Sequence, residues 1–474
     1  MSGFNFSHKP KQVQKVSSKY RRIKTEIPVP EDLEILKKAY MYESRSMHGQ
    51  LPIVWDRAED FQVYDSHGNC WLDFTSTIFV SNAGHANKRI LKSVQKVIDK
   101  PLIHSYTYLT KERSDYLKLL IEKTPKQFEK AFLLSAGTEA TECALKLMRE
   151  NGIKQKKNRG VIICIEGNWH GRTLGAQMMS WNPSQKEWIG YHDPNIFHIS
   201  FPYPWDEKAQ INSKKFFEDS IKNLCTSENL DPKKDICGFM LETFQGWGSI
   251  FYPNDYVKAL SDFAKENDIL LTFDEMQSGF GRTGKLFGYM HYDVEPDLLC
   301  CGKGASSGFP LAIVLGSAKI LDIPDIGSMS STHSANPLVC AAGKANLECL
   351  FEDGLLKNSD YLGKIFIENL NKIKDRFENH ISDVQGKGLI AALIFCDKKR
   401  RPLTSLCDQI SELCLQRGLL VVHTGRESIK LAPPLSITED ALLDGLNVLE
   451  KSIEDIILKS SSLFLEIEES ISGL

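Results

Sequence analysis

Residues 269–304 read ILLTFDEMQSGFGRTGKLFGYMHYDVEPDLLCCGKG, and the fold follows from how they are read. The apolar run Ile269–Phe273 stops at Asp274 and Glu275, and Gly279, Gly281, Gly284 and Gly288 follow. A continuous apolar run is the pattern of a strand covered on both faces, and open α/β sheets hold their ligands at the carboxyl ends of such strands. A second apolar run, Leu298–Cys301, leads to Lys303 between Gly302 and Gly304. The two runs predict two strand ends that present one acid and one amine.

Glycines on either side of a lysine let backbone approach a flat ligand, and desolvation that lowers the amine pKa suits it to a Schiff base with an aldehyde. The carboxylate 29 positions earlier suits a pyridinium nitrogen, because its charge keeps that nitrogen protonated and the ring electron-poor. Together they point to pyridoxal 5'-phosphate. Taken singly, Asp274 reads equally well as a turn cap and Lys303 as a solvated loop lysine. Their order along the chain favours the joint reading.

The run Asp274–Gly284, followed by Pro296-Asp297 and Gly302-Lys303-Gly304, resembles the signature of class III aminotransferases. The similarity extends from about residue 40 to about 455. It implies an α/β protein of fold type I: a large domain with a mostly parallel central sheet flanked by helices, and a smaller α+β domain built from both termini. By that resemblance Asp274 would pair with the pyridine nitrogen, Gln277 would lie near the ring hydroxyl and Lys303 would form the Schiff base. Met276 stands where the family usually has valine, a swap that keeps apolar bulk.

The other motifs fall into place around this one. Lys130–Arg149, KAFLLSAGTEATECALKLMR, reads as a strand, a small-residue turn and an amphipathic helix. A helix amino terminus attracts anions through its unpaired N–H groups and the dipole's positive end. On its own Thr138 is more often an ordinary cap; within the family pattern Gly137 and Thr138 become the phosphate-binding pair, with Ala136 replacing the usual serine. The strand-like VIICIE leads to Trp169-His170-Gly171-Arg172. A lone tryptophan is more often core, but the resemblance makes Trp169 the ring that stacks on the cofactor face and Arg172 the residue that grips a substrate carboxylate, a role its bidentate fork suits.

Glu242, closing CGFMLE, matches a family glutamate that pairs with a carboxyl-terminal arginine; the residue expected there is Lys430. Lysine offers a point charge and no fork, so this departure bears on whether glutamate or 2-oxoglutarate serves as second substrate. Arg426 and His423 lie close in sequence as substitutes. Thr332, in Thr332-His333-Ser334-Ala335-Asn336-Pro337, is similar to the threonine that reaches the partner subunit's phosphate, which implies a homodimer with a shared active site. Thr77 replaces a common glycine near the family's substrate pocket.

Composition narrows the rest. A formal net charge of −3 with 25% charged residues gives no electrostatic case for nucleic acid or an anionic membrane, and no run reaches membrane-spanning length. The twelve cysteines show no metal-like spacing and read as reduced thiols of a cytoplasmic protein, with no metal site. The expected organisation is a basic flexible arm over 1–24, small-domain segments at 25–95 and 338–474, and a large cofactor-binding domain over 96–337. The reaction implied is ping-pong transfer of an amino group from a small-molecule donor to an oxo-acid acceptor. A racemase, epimerase or decarboxylase on the same fold is the alternative, and a non-catalytic binding protein a more distant one.

Overall fold

The computed structural model describes residues 6–49 and 51–472, with side chains described through residue 459. Its centre is a seven-stranded sheet of β1 (Lys130–Leu134), β2 (Val161–Ile165), β3 (Ile196–Ile199), β4 (Ile236–Glu242), β5 (Leu270–Asp274), β6 (Leu298–Cys301) and β7 (Ala312–Gly316). The spatial order is β1-β7-β6-β5-β4-β2-β3. All are parallel except β7, which runs against both β6 and β1. Every residue of β2, β4, β5, β6 and β7 is buried, which explains why these segments read as unbroken apolar runs. Helix α1 (Gly137–Lys154) lies across β7, β6 and β4 on one face. Helix Asn254–Glu266 packs on β5.

The smaller unit joins the two ends of the chain. Strands Ile381–Lys387, Ile390–Phe395, Ser428–Leu431 and Val422–His423 form an antiparallel sheet, with helices Leu355–Arg376, Thr404–Gln416 and Glu439–Ser472 beside it. Strand Cys70–Asp73 belongs to an amino-terminal sheet, yet it also pairs in parallel with Leu419–Leu420. The turn between Gln62–Tyr64 and Cys70–Asp73 is the hairpin expected at residues 65–69.

The amino-terminal arm differs from expectation. Residues 1–5 lie outside the described residues, but 6–24 are packed on their own chain and do not form a flexible arm. Val16–Ser17 and Arg22–Ile23 pair as a hairpin, and Arg22 joins it to Cys70. Ile23 is buried with Ile27, Val63, Trp71 and Leu420. Two of the basic residues that suggested solvation have partners: Arg21 binds Asp444 at 2.7 Å, and Lys11 binds Glu412. Among the described residues no helix is long and apolar enough to cross a membrane.

Candidate active site

Strand register builds the site. Asp274 is level with Glu242 on β4 and with Cys300 on β6, so three adjacent parallel strands end side by side. Their carboxyl ends deliver Glu242, Asp274 and, two residues past β6, Lys303. Lys303 has φ +36 in a short turn between Gly302 and Gly304. It keeps some solvent contact as a residue, yet burial of its amine lowers the pKa; the charges of Asp274 and Glu242 pull the other way.

Asp274 is buried and held from two sides. Its Oδ1 accepts the Met276 N–H at 3.0 Å, and its Oδ2 lies 2.9 Å from Nδ1 of His170. His170 is buried, its own N–H donates to Ser180 Oγ, and its Nε2 has no partner among the described residues. Glu275, next in the chain, is a different kind of carboxylate. It accepts from the hydroxyls of Thr243 and Ser278 and from the N–H groups of Gly288 and Tyr289, so every oxygen is used to shape the following loop.

The amino end of α1 stands opposite. Glu139 turns back to accept the N–H groups of Ser135 and Ala136 at 2.8 and 3.0 Å, while Gly137 and Thr138 occupy the first positions, whose N–H groups have no partner within the helix. Thr138 Oγ1 is 2.6 Å from Thr173 Oγ1. The Met276 sulfur fills the space between two glycines: a Cβ on Gly137 would come within 2.8 Å of it, and one on Gly302 within 2.6 Å.

A cavity of about 450 Å³ opens beside these groups, with Phe79, Trp169, Trp181, Trp247, Arg426 and Lys430 among its walls. At its floor Gln277 Nε2 donates to Glu242 at 3.2 Å, and Lys430 Nζ donates to Gln277 Oε1 at 2.8 Å. The expected Glu242–Lys430 pair is thus bridged by an amide. Lys430 also donates to the Gly246 carbonyl and lies 4.3 Å from the centre of the Phe79 ring. Burial pushes Glu242 up to about 7, with Asp274 adding to the effect, and burial pulls Lys430 down to about 7 against the attraction of Glu242.

Of the residues expected from sequence, Lys303, Asp274, Gln277, Glu242, Lys430, Gly137, Thr138 and Trp169 converge. Trp169 lines the cavity, and its N–H donates to Glu242 at 3.0 Å. Arg172 is not among the cavity-lining residues; its guanidinium sits 4.7 Å over the Trp169 ring. Thr332 is exposed, with its carbonyl bound to His104, and does not reach this cavity. Sequence reading missed the pairing of His170 and the hydroxyl of Thr173, whereas Arg426, named there as a substitute beside Lys430, does line the cavity. All three sit inside quoted motifs or beside them, but their contacts depend on long-range register.

The sequence family aminotransferase class-III matches residues 43–453. An acetylornithine aminotransferase, named as mitochondrial, of Candida glabrata is 32% identical over 433 residues, covering 89% of this chain and 95% of the relative. An alanine/serine racemase of Pyrococcus horikoshii is 30% identical over 464 residues, covering 95% of this chain and 96% of the relative. A solved aminotransferase of Bacillus anthracis superposes with a TM-score of 0.82 at 24% identity, covering 90% of this chain and 99% of that one.

Proposed function

The chain belongs to the class III aminotransferases, and from that membership we propose which of its residues move an amino group from a small amine or amino acid to an oxo acid. The enzyme depends on pyridoxal 5'-phosphate, which when bound supplies an electrophilic aldehyde and an electron-poor ring. The residues present suit that group. An acid and an amine stand at the ends of two adjacent strands, open N–H groups stand at the start of α1, and Met276 packs between Gly137 and Gly302 beside them.

In this reading Lys303, whose amine is lowered toward its neutral form by burial, would hold the cofactor and could carry the proton at the amine-bearing carbon of the substrate. Asp274 would pair with the ring nitrogen, and His170 and the Met276 N–H hold its two oxygens. Trp169 would offer a flat face, Gly137 and Thr138 would take the phosphate and Gln277 would lie near the ring hydroxyl; Gln277 also ties Glu242 to Lys430. Arg172 grips a substrate carboxylate. Thr332 serves the phosphate of a second subunit, a role its exposure supports, so the working unit is a homodimer. The division into a large domain over 96–337 and a smaller one from 25–95 and 338–474 goes with this reading, supported by the pairing of Leu419–Leu420 with Cys70–Asp73. All twelve cysteines are free, which supports a cytoplasmic location, although the Candida relative is named as mitochondrial.

The single observation that carries the assignment of residues is that Glu242 and Asp274 end adjacent strands level with each other, with Lys303 two residues past the end of the next strand. The test is the visible absorption of the purified holoenzyme mixed with single amines and amino acids, then with oxo acids. Loss of the lysine-bound band with a donor and its return with an oxo acid supports transamination. The likeness to the Pyrococcus racemase favours one second reading: a band that persists while alanine or serine loses optical activity would replace transamination with racemisation.

A further inference from the structure

Within the aminotransferase reading, which places the cofactor phosphate at the start of α1, we propose that the Thr138 hydroxyl is not a phosphate donor. It belongs instead to a tie, completed by Thr173 and Glu142, that positions the turn carrying Trp169 and His170. The phosphate is left to the backbone N–H groups of Gly137 and Thr138, which have no partner within the helix. Thr138, Thr141 and Glu142 share one face of α1, at the spacing that brings side chains together on a helix. All three reach the same neighbouring segment. Thr141 is buried, and its Oγ1 donates to the His170 carbonyl at 2.8 Å. Glu142 Oε1 accepts the Thr173 hydroxyl at 2.7 Å and the N–H groups of Gly175 and Ala176 at 2.8 and 3.1 Å.

Proton direction then decides what Thr138 can do. Thr173 has one hydroxyl proton, and it goes to Glu142, which accepts it. In the 2.6 Å contact between the two threonines, Thr138 is therefore the donor. Thr138 Oγ1 also accepts the Thr173 N–H at 3.3 Å. The turn presses bare backbone on this hydroxyl: Gly171 has φ +138, and a Cβ there would collide with Thr138 Oγ1. A phosphate oxygen brought to Oγ1 would meet lone pairs and no free proton. The same turn holds the Trp169 ring at the cavity wall and sets His170 Nδ1 against Asp274 Oδ2. Thr138, Thr173 and Glu142 thus act on the cofactor ring through Trp169 and His170, as positioning residues.

The test compares pyridoxal 5'-phosphate with pyridoxal, which lacks the phosphate. Each is titrated into the full-length chain stripped of cofactor and followed by the visible band of the lysine-bound aldehyde. Thr138→Val and Thr173→Val should each weaken both ligands about 3- to 10-fold, the loss of one neutral hydrogen bond, and leave the ratio of the two dissociation constants as in the wild type. Thr138→Ser and Thr173→Ser, which restore a hydroxyl, should recover the loss. A Thr138 hydroxyl that donated to phosphate would make a charged hydrogen bond, so Thr138→Val would weaken pyridoxal phosphate alone, by about 10- to 100-fold. That outcome overturns the proposal, as does unaltered affinity for both ligands in both valine variants. If Thr138→Val does not fold, Thr173→Val decides: equal weakening of the two ligands supports the tie, and unaltered or tighter binding of pyridoxal phosphate overturns it. A wild type that forms no band with either aldehyde would instead bring down the cofactor assignment itself, before any variant is compared.

Discussion

Asp274 is oriented before any ligand arrives, because His170 and the Met276 N–H each hold one of its oxygens. Replacing His170 by Phe leaves a buried carboxylate oxygen without its donor. Supporting residues of this kind typically change ligand affinity by about 10- to 100-fold. His170→Phe is therefore expected to weaken pyridoxal phosphate binding within that range, measured by fluorescence titration of the apoenzyme. His170→Asn, whose amide nitrogen can stand where Nδ1 stood, should recover part of the loss. The lysine gives a second prediction. Burial lowers the Lys303 pKa below 10.5, so the fraction of neutral, reactive amine rises at a lower pH than for a free lysine. The rate of cofactor uptake by apoenzyme should climb with a midpoint below 10.5. Glu242 is ionised above about pH 7 and its charge raises the lysine pKa, so Glu242→Gln should move that midpoint lower still. Acid and lysine were both legible in sequence because each ends an apolar run. The partner of Asp274 was not, since His170 lies 104 positions away and only the alignment of β2, β4 and β5 brings it there.

At the scale of elements, the buried strands announced themselves as apolar runs, and the helix after Ala136 announced its start. The packed arm did not. Its apolar residues Val13, Val16, Ile23 and Ile27 are spread among lysines and arginines, so nothing local marks them as the cover of Trp71. The turn that carries Arg426 was legible only as a neighbour of Lys430, because the use of a hairpin tip depends on which sheet it projects over. One close approach between elements is testable. Gly388, φ +58, closes the hairpin of Ile381–Lys387 and Ile390–Phe395 against the loop after β5. A Cβ there would come 2.2 Å from the Thr283 carbonyl carbon and 2.5 Å from the Gly284 nitrogen, and both are backbone atoms that cannot step aside. Left-handed strain costs about 1–2 kcal/mol and overpacking about 1–3 kcal/mol, so Gly388→Ala is expected to destabilise the protein by about 2–5 kcal/mol. A drop in melting temperature with the cofactor bound would show it; an unchanged transition would mean that the loop and hairpin are less tightly apposed.

Across the whole molecule, buried ionisable groups tie the two units together and set how stability responds to pH. Arg282 is fully buried and donates to the carbonyls of Leu389 and Pro433, to Ser76 Oγ and to Asn82 Oδ1, joining the loop after β5 to both terminal segments. Two histidines sit in similarly enclosed places. His198 contacts the Met179 carbonyl, with Lys186 and His170 nearby; His291 contacts the Thr283 carbonyl, with Lys387, Lys285 and Asp360 nearby. Burial pulls each from 6.5 down to about 4. Between those values the unfolded chain binds a proton at each site and the folded chain does not, so their contribution to stability is complete above about pH 6.5 and is lost as pH falls toward 4. Glu242 works in the opposite sense: its folded pKa lies near 7 and its unfolded value at 4.5, so protonation in the fold favours the native state as pH falls through the same range. The net slope mixes both signs, and the histidine part appears in a difference. Denaturant unfolding of wild type and of the His198→Gln, His291→Gln double variant at pH 7 and pH 4.5 should show the wild type losing more stability on acidification. After allowance for partial exposure the excess should be about 2 kcal/mol per histidine. Parallel losses in the two proteins would mean that these rings gain protons in the fold as readily as outside it.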